Sequence, residues 1–195
     1  MKKLYCFDFD GTLTHRDTMF LFLNFYNSKK FKINFLKYTP LFVLLKLKLL
    51  DPERIKKSFI AAVLKGESKI RIEKKSRQFY DKYAEELFRE NALEFIKTIN
   101  RETTTALIIT ASLDIWVQPF AEAFDMKLLA TRADFENGVF TGKFLSKNCN
   151  GPEKVERIKA EIGGQKFDKT VAFGDTLGDR EMLAWADEGH YKFFH

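Results

Sequence analysis

The alternation of apolar and polar positions divides this chain into three regimes. Lys3–Phe9 (KLYCFDF) is a short apolar and aromatic run that ends at a glycine turn, and it predicts a buried strand. A long block of helical spacing follows. Asp17–Tyr26 (DTMFLFLNFY) predicts a helix with Asp17 at its N-cap. Phe31–Leu50 is the most apolar stretch, and Pro40 is expected to break it into a helix pair. Pro52–Leu64 and Lys69–Glu90 predict two charged helices, and Leu93–Asn100 continues as a helix toward the next strand.

Beyond residue 100 strands and helices alternate. Thr104–Thr110 (TTALIIT) is β-branched and predicts a buried strand. Trp116–Phe124 predicts a helix that Pro119 kinks or shortens. Leu128–Phe135 and Val139–Leu145 flank Asn137-Gly138, a hairpin signal. Pro152–Ile162 predicts a helix, with Pro152 in its first turn and Gly163 just past its end. Lys169–Phe173 (KTVAF) predicts a strand, Arg180–Ala186 a short helix and His190–Phe194 an edge strand. This alternation argues for an α/β fold with a mainly parallel sheet flanked by helices. The helical block after the first strand reads as an inserted cap. The boundaries follow: residues 1–14 and 91–195 for the core, 15–90 for the cap.

Composition sharpens that division. The 195-residue chain carries a formal net charge of +6. Residues 29–75 alone hold 14 lysines and arginines against 4 acids, so the cap region is basic and the remainder acidic. The longest uncharged run in the apolar stretch, Tyr38–Leu45, is eight residues, far short of the ~20 needed to cross a bilayer. It packs inside the cap or meets a membrane surface as an interfacial segment. Two cysteines, Cys6 and Cys149, form no C-x-x-C pair and fit reduced thiols of a cytoplasmic protein. The first ten residues lack the cleavage signature of a signal peptide. No interleaved aromatic and basic signature of an RNA-binding fold is present, so no nucleic acid is expected as partner.

The chemistry sits at predicted strand ends. Asp8 and Asp10 lie two apart beside Gly11, and side chains at that spacing on a strand share a face. KTVAF runs into Gly174-Asp175-Thr176-Leu177-Gly178-Asp179, where glycines again bracket carboxylates. ALIIT ends at Thr110-Ala111-Ser112, a hydroxyl at the same kind of edge. Ligands of open α/β sheets bind at the carboxyl ends of the strands. Crowded carboxylates repel unless a cation lies among them, and hard oxygen donors suit Mg²⁺, which also binds phosphate oxygens. Such a site wants one fixed positive charge. Lys154, in the first turn of its helix, is favoured over Lys143 and Lys147. Thr110 is preferred for contact with phosphate, and Ser112 for capping the following helix.

Four segments together resemble the haloacid dehalogenase (HAD) superfamily. They are Asp8-Phe9-Asp10-Gly11-Thr12 as D-x-D-G-T, Thr110 as the hydroxyl, Lys154 as the lysine, and Gly174-Asp175-Thr176-Leu177-Gly178-Asp179 as G-D-x-x-x-D. The resemblance implies a Rossmann-like HAD core with an all-helical C1-type cap. It also implies Mg²⁺-dependent phosphomonoester hydrolysis. Asp8 would be the nucleophile that forms an aspartyl-phosphate, and Asp10 the acid and base. The metal would be held by Asp8, the Asp10 carbonyl and Asp175, with Asp179 close by. Thr110 would hold phosphoryl oxygens, Lys154 would neutralise charge, and Gly11 would let backbone amides approach the phosphate. Dehalogenases lack the second aspartate, so Asp10 points to phosphatases and phosphotransferases.

Substrate recognition is expected at His15, Asp17 and Ala111, with N-capping as the other reading of Asp17. A closer resemblance is to subfamily IB hydrolases, which include an HAD-type phosphatidylglycerophosphate phosphatase. It rests on Asp17, the apolar segment and Cys149-Asn150-Gly151-Pro152-Glu153-Lys154-Val155 as C-x-G-x-E-K-V. It implies a small-molecule or lipid phosphate as substrate. The basic, apolar-rich cap itself suits peripheral contact with an anionic membrane surface. Phosphoserine phosphatases, which carry a glutamate where Asp17 stands, and phosphotransferases are the alternatives. A non-catalytic anion-binding module would leave all four motifs idle.

Overall fold

The computed structural model describes all 195 residues, Met1–His195. In chain order, strand β1 (Lys3–Phe7) is followed by helices α1 (Thr18–Tyr26), α2 (Ser28–Lys46), α3 (Pro52–Leu64), α4 (Lys69–Leu87) and α5 (Glu90–Lys97). Then come β2 (Thr104–Leu113), α6 (Asp114–Ala123), β3 (Lys127–Thr131), β4 (Ala133–Glu136) and β5 (Val139–Phe144). The chain closes with α7 (Pro152–Ile162), β6 (Lys169–Gly174), α8 (Arg180–Trp185) and β7 (Glu188–Tyr191).

Five strands form one sheet in the order β3-β2-β1-β6-β7. Every neighbouring pair in it is parallel. A parallel sheet needs both faces covered, which explains why β1 is apolar from Leu4 to Phe7 rather than alternating. Leu4 and Cys6 pack on one face with Ile158 of α7 and Met182 of α8. Phe7 faces the other way into a larger cluster that runs on into α1, α3, α4 and α6. Phenylalanine is the commonest residue of that cluster, ten of its 31 buried members. Phe7 stacks on Phe173 of β6 with ring centroids 4.9 Å apart. Phe22 of α1 stacks on Trp116 of α6 at 5.4 Å, so the helical block and the sheet layer share one core.

The chain leaves the sheet layer and returns to it at adjacent points. Arg89 N–H donates to the Leu13 carbonyl (2.9 Å) and His15 N–H to the Leu87 carbonyl (3.0 Å). A second tie comes from β4 and β5, which pair antiparallel through Phe135–Phe140 and Glu136–Val139. Asn137 and Gly138 both have positive φ, as a two-residue primed turn requires. The hairpin tip docks on the α3–α4 loop: Lys69 N–H donates to the Gly138 carbonyl (2.8 Å) and Phe140 N–H to the Glu67 carbonyl (2.9 Å).

Several expectations change. Pro40 does not break the apolar stretch, because α2 runs through it unbroken. The carbonyl that loses its donor belongs to Leu36, on the exposed side of the helix, where an unmade bond is tolerated. α6 likewise continues through Pro119. The expected strand Leu128–Phe135 is two strands, one in the main sheet and one in the hairpin. β2 extends to Leu113 through a register irregularity after Thr110. The last strand ends at Tyr191, and Phe194 turns back to pack on Phe173 at 5.2 Å.

Because Phe173 is buried at the centre of this aromatic stack, Phe173→Ala is expected to cost about 3–5 kcal/mol in urea unfolding. Ile70→Ala on the exposed face of α4 is expected to stay within about 0.5 kcal/mol.

Candidate active site

The carboxyl ends of β1, β2 and β6 converge, and their side chains meet there. β1 stops at Phe7, although Asp8 N–H still donates to the Phe173 carbonyl at 2.9 Å. Phe9–Leu13 then forms a single wide turn closed by Thr14 N–H to the Phe9 carbonyl (3.1 Å). Inside it Gly11 has φ +87°, and a Cβ there would collide with the Asp175 carboxylate. The glycine is therefore required twice, by conformation and by space.

Lys154, buried in the first turn of α7, is the centre of the arrangement. Its ammonium donates to Asp8 Oδ1 (2.5 Å), Asp179 Oδ1 (2.5 Å) and the Ile109 carbonyl (3.0 Å). Lys143 and Lys147 take no part in this contact set. Burial opposes the charge on Lys154, but the two carboxylates outweigh it and hold the pKa above the usual lysine value. Asp8 Oδ2 accepts from Thr12 Oγ1 at 3.0 Å, and the same hydroxyl lies 3.2 Å from Asp175 Oδ1. Asp179 Oδ2 accepts from Asp175 N–H (3.2 Å), Thr176 N–H (3.0 Å) and Thr176 Oγ1 (2.9 Å).

Asp8, Asp175 and Asp179 each bring a carboxylate oxygen within 4.8 Å of the others. Three carboxylates and one ammonium leave two negative charges without a partner. Burial, helped by Asp179 and Asp10 and opposed by Lys154, pushes Asp8 up to about 7. Burial and the Asp179 charge also raise Asp175. Asp179 is buried too, yet Lys154 and the Thr176 donors hold it below the usual carboxylate range. A divalent cation bound by hard oxygens fits both the charge deficit and the donor chemistry.

The Asp10 carboxylate takes different partners. Its Oδ1 accepts from Thr18 N–H (2.7 Å) and Thr18 Oγ1 (2.6 Å), and its Oδ2 from Ser112 Oγ (2.5 Å). The spacing of two therefore does not send both carboxylates to one cluster, because the chain turns directly after Asp8. Ser112 is not the cap of α6. Leu113 occupies that place, and the serine hydroxyl holds Asp10 instead. Thr110 is buried, with its Oγ1 accepting from Ser112 N–H at 3.0 Å.

The three residues expected at the substrate end lie differently again. Asp17 caps α1, accepting from Met19 N–H at 2.8 Å, and burial together with the Asp10 charge pushes it up to about 6. Lys56 of α3 opposes that rise and donates to the Ala111 carbonyl at 3.0 Å. His15 does not join the cluster: its Nε2 lies 2.9 Å from the Glu86 carbonyl on an exposed face. Sequence reasoning missed Thr12, Thr18, Lys56 and Arg89, whose Nε and Nη2 donate to the Gly11 carbonyl at 3.2 and 3.1 Å. Only Thr12 carried a signal, as the last residue of D-x-D-G-T.

Four acids, a buried lysine and a required glycine thus lie at one sheet edge, where the charge favours a bound cation. The model of the haloacid dehalogenase-like hydrolases matches residues 6–184, and the chain belongs to that family of hydrolases. Protein CicA of Caulobacter vibrioides is 35% identical over 195 residues, covering 98% of this chain and 86% of the relative. A protein of unknown function from Bordetella pertussis Tohama I has the same fold, with TM-score 0.82 and 18% identity over 95% of this chain and 87% of its own. The phospho-aspartyl intermediate analogue of a phosphoserine phosphatase superposes with TM-score 0.60 and 25% identity, over 95% and 83% of the two chains.

Lys154→Met leaves two buried carboxylates unpaired, so it is expected to lower unfolding stability by about 3–5 kcal/mol at neutral pH, measured in urea. The raised Asp8 pKa has the opposite sign from an ordinary ion pair. Its contribution is full below the unfolded value of about 3.9 and is lost as pH rises through about 7. In chelator-treated protein, Asp8→Asn is expected to flatten the fall in stability across that window.

Proposed function

We propose that the protein is a Mg²⁺-dependent phosphomonoesterase acting through an aspartyl-phosphate on Asp8. The observation that carries this reading is the Asp8–Lys154–Asp179 cluster with Asp175, which needs two further positive charges to be neutral. Asp8, Asp175 and the Asp10 backbone carbonyl would hold the cation, which offsets charge on the phosphoryl oxygens when bound. Asp179 accepts three donors on Oδ2 alone besides Lys154 on Oδ1, so we assign it to positioning Lys154 and the Asp175 loop.

In the first half-reaction an Asp8 oxygen bonds to phosphorus while the ester P–O bond breaks, and Asp10 gives its proton to the departing oxygen. In the second, Asp10 takes a proton from water, the water oxygen bonds to phosphorus, and the P–O bond to Asp8 breaks. Inorganic phosphate leaves and both aspartates are restored. Lys154 stays charged throughout and offsets the negative charge of the transferring group. Thr110 and the amides of the Gly11 turn are the groups we assign to phosphoryl oxygens.

Residues 15–90 would act as a cap that meets the remainder of the substrate. Asp17 is engaged at the N-terminus of α1, which disfavours a free amino acid as the group it reads. Lys56 supplies a positive charge of the cap at the site, and the cap's basic, apolar-rich composition favours a lipid-borne phosphate.

Hydrolysis of an aryl phosphate is expected to require Mg²⁺ and to stop with a chelator. Asp8→Asn should be inactive, and Asp10→Asn should lower kcat by about 10²–10⁴. Full turnover by Asp8→Asn would remove that residue as nucleophile. A panel of phosphoserine, sugar phosphates, nucleotides and lipid phosphates then identifies the substrate class.

A further inference from the structure

α2 is apolar on two opposite sides. Phe31, Tyr38 and Phe42 face the core and pack against it. Not one residue of the helix is fully buried, however. On the outer side Ile33, Leu36, Pro40, Val43 and Leu47 recur at steps of three and four, which puts them on one stripe. Leu36 is 76% exposed, Leu47 62% and Val43 54%. Lys30 and Lys37 border one edge of the stripe, and Lys32 and Lys46 the other, by the 100° step of the helix. A groove of about 550 Å³ lined by Phe20, Phe35, Phe42 and Val43 opens beside it.

Within this segment the charge has one sign, and Lys30 alone of its lysines is paired, with Glu67 at 3.0 Å. From Thr18 to Leu50 there are six lysines and no acid. No helix of the protein is long and apolar enough to cross a membrane. We propose that the outer face of α2 docks the protein on an anionic bilayer, lying in the interface with its leucines among the acyl chains and its lysines among the headgroups. Two copies of this chain meeting on the same face would bring like charges together with no acidic residue to answer them. Lysine stems reach past the stripe toward the headgroups while their ammonium groups stay wet. This docking is independent of which phosphomonoester is cleaved.

The test is co-sedimentation of the intact protein with vesicles of phosphatidylcholine, with and without phosphatidylglycerol. Binding is expected only with the anionic lipid, and it should be lost on raising salt from about 0.1 M to about 1 M. Leu36→Glu/Val43→Glu should lower the partition coefficient at least about tenfold, and Lys32→Glu/Lys37→Glu by about fivefold or more per residue. Both pairs lie on the surface, and an unchanged urea midpoint would show that the fold is kept. Asp8→Asn should bind like the wild type, which separates docking from hydrolysis. Absence of binding, or full binding by both double variants, overturns the proposal. So does a dimer in sedimentation velocity that Leu36→Glu/Val43→Glu abolishes, since the face then belongs to a second copy.

Discussion

One buried ammonium organises the site. Lys154 is reached by carboxylates from two separated segments and by a carbonyl of β2, so α7, β1, β2 and the loop after β6 are fixed to a single point. Burying that charge alone would be prohibitive, and each of its partners would be equally costly without it. The rest of the edge follows from this trio. Asp179, once held by Lys154, gathers the Thr176 donors and sets the turn that presents Asp175. Asp175 then presses against the turn at Gly11, which is why that residue has no room for a side chain.

The sheet supplies the rigidity this trio needs. Aromatic stacking between Phe7 and Phe173 locks β1 to β6 immediately below the carboxylates. Trp116 extends the same core to α1 and also donates to Thr18 Oγ1 at 3.1 Å. That threonine is one of the two residues that hold Asp10. Packing and polar contacts thus converge on the same few side chains. The contact between α1 and α6 bears on the orientation of the Asp10 carboxylate through Thr18.

The parallel sheet, the alternation of elements and the five acidic and basic motif residues were legible in the sequence, because each rests on local signals. Apolar runs mark buried strands, and glycines beside acids mark strand ends. What was not legible depended on geometry that spacing does not encode. Asp8 and Asp10 part company because the chain leaves the extended conformation between them. Ser112 looked like a helix cap by position, but β2 continues past Thr110 and aims the hydroxyl at Asp10 instead. Pro40 looked like a break, but a missing hydrogen bond on an exposed helix face is tolerated. Lys56 and Thr18 lie in the helical block, where sequence gives no sign of which residues reach back to the sheet.

The grip on Asp10 has a mechanical consequence. Its two oxygens are shared between Thr18, at the start of α1, and Ser112, on β2. Any sliding of α1 relative to the sheet must release one of them and free the carboxylate to rotate. Asp10 is therefore wired to the mutual alignment of two layers, and it reports their registry as a latch reports whether a door is shut.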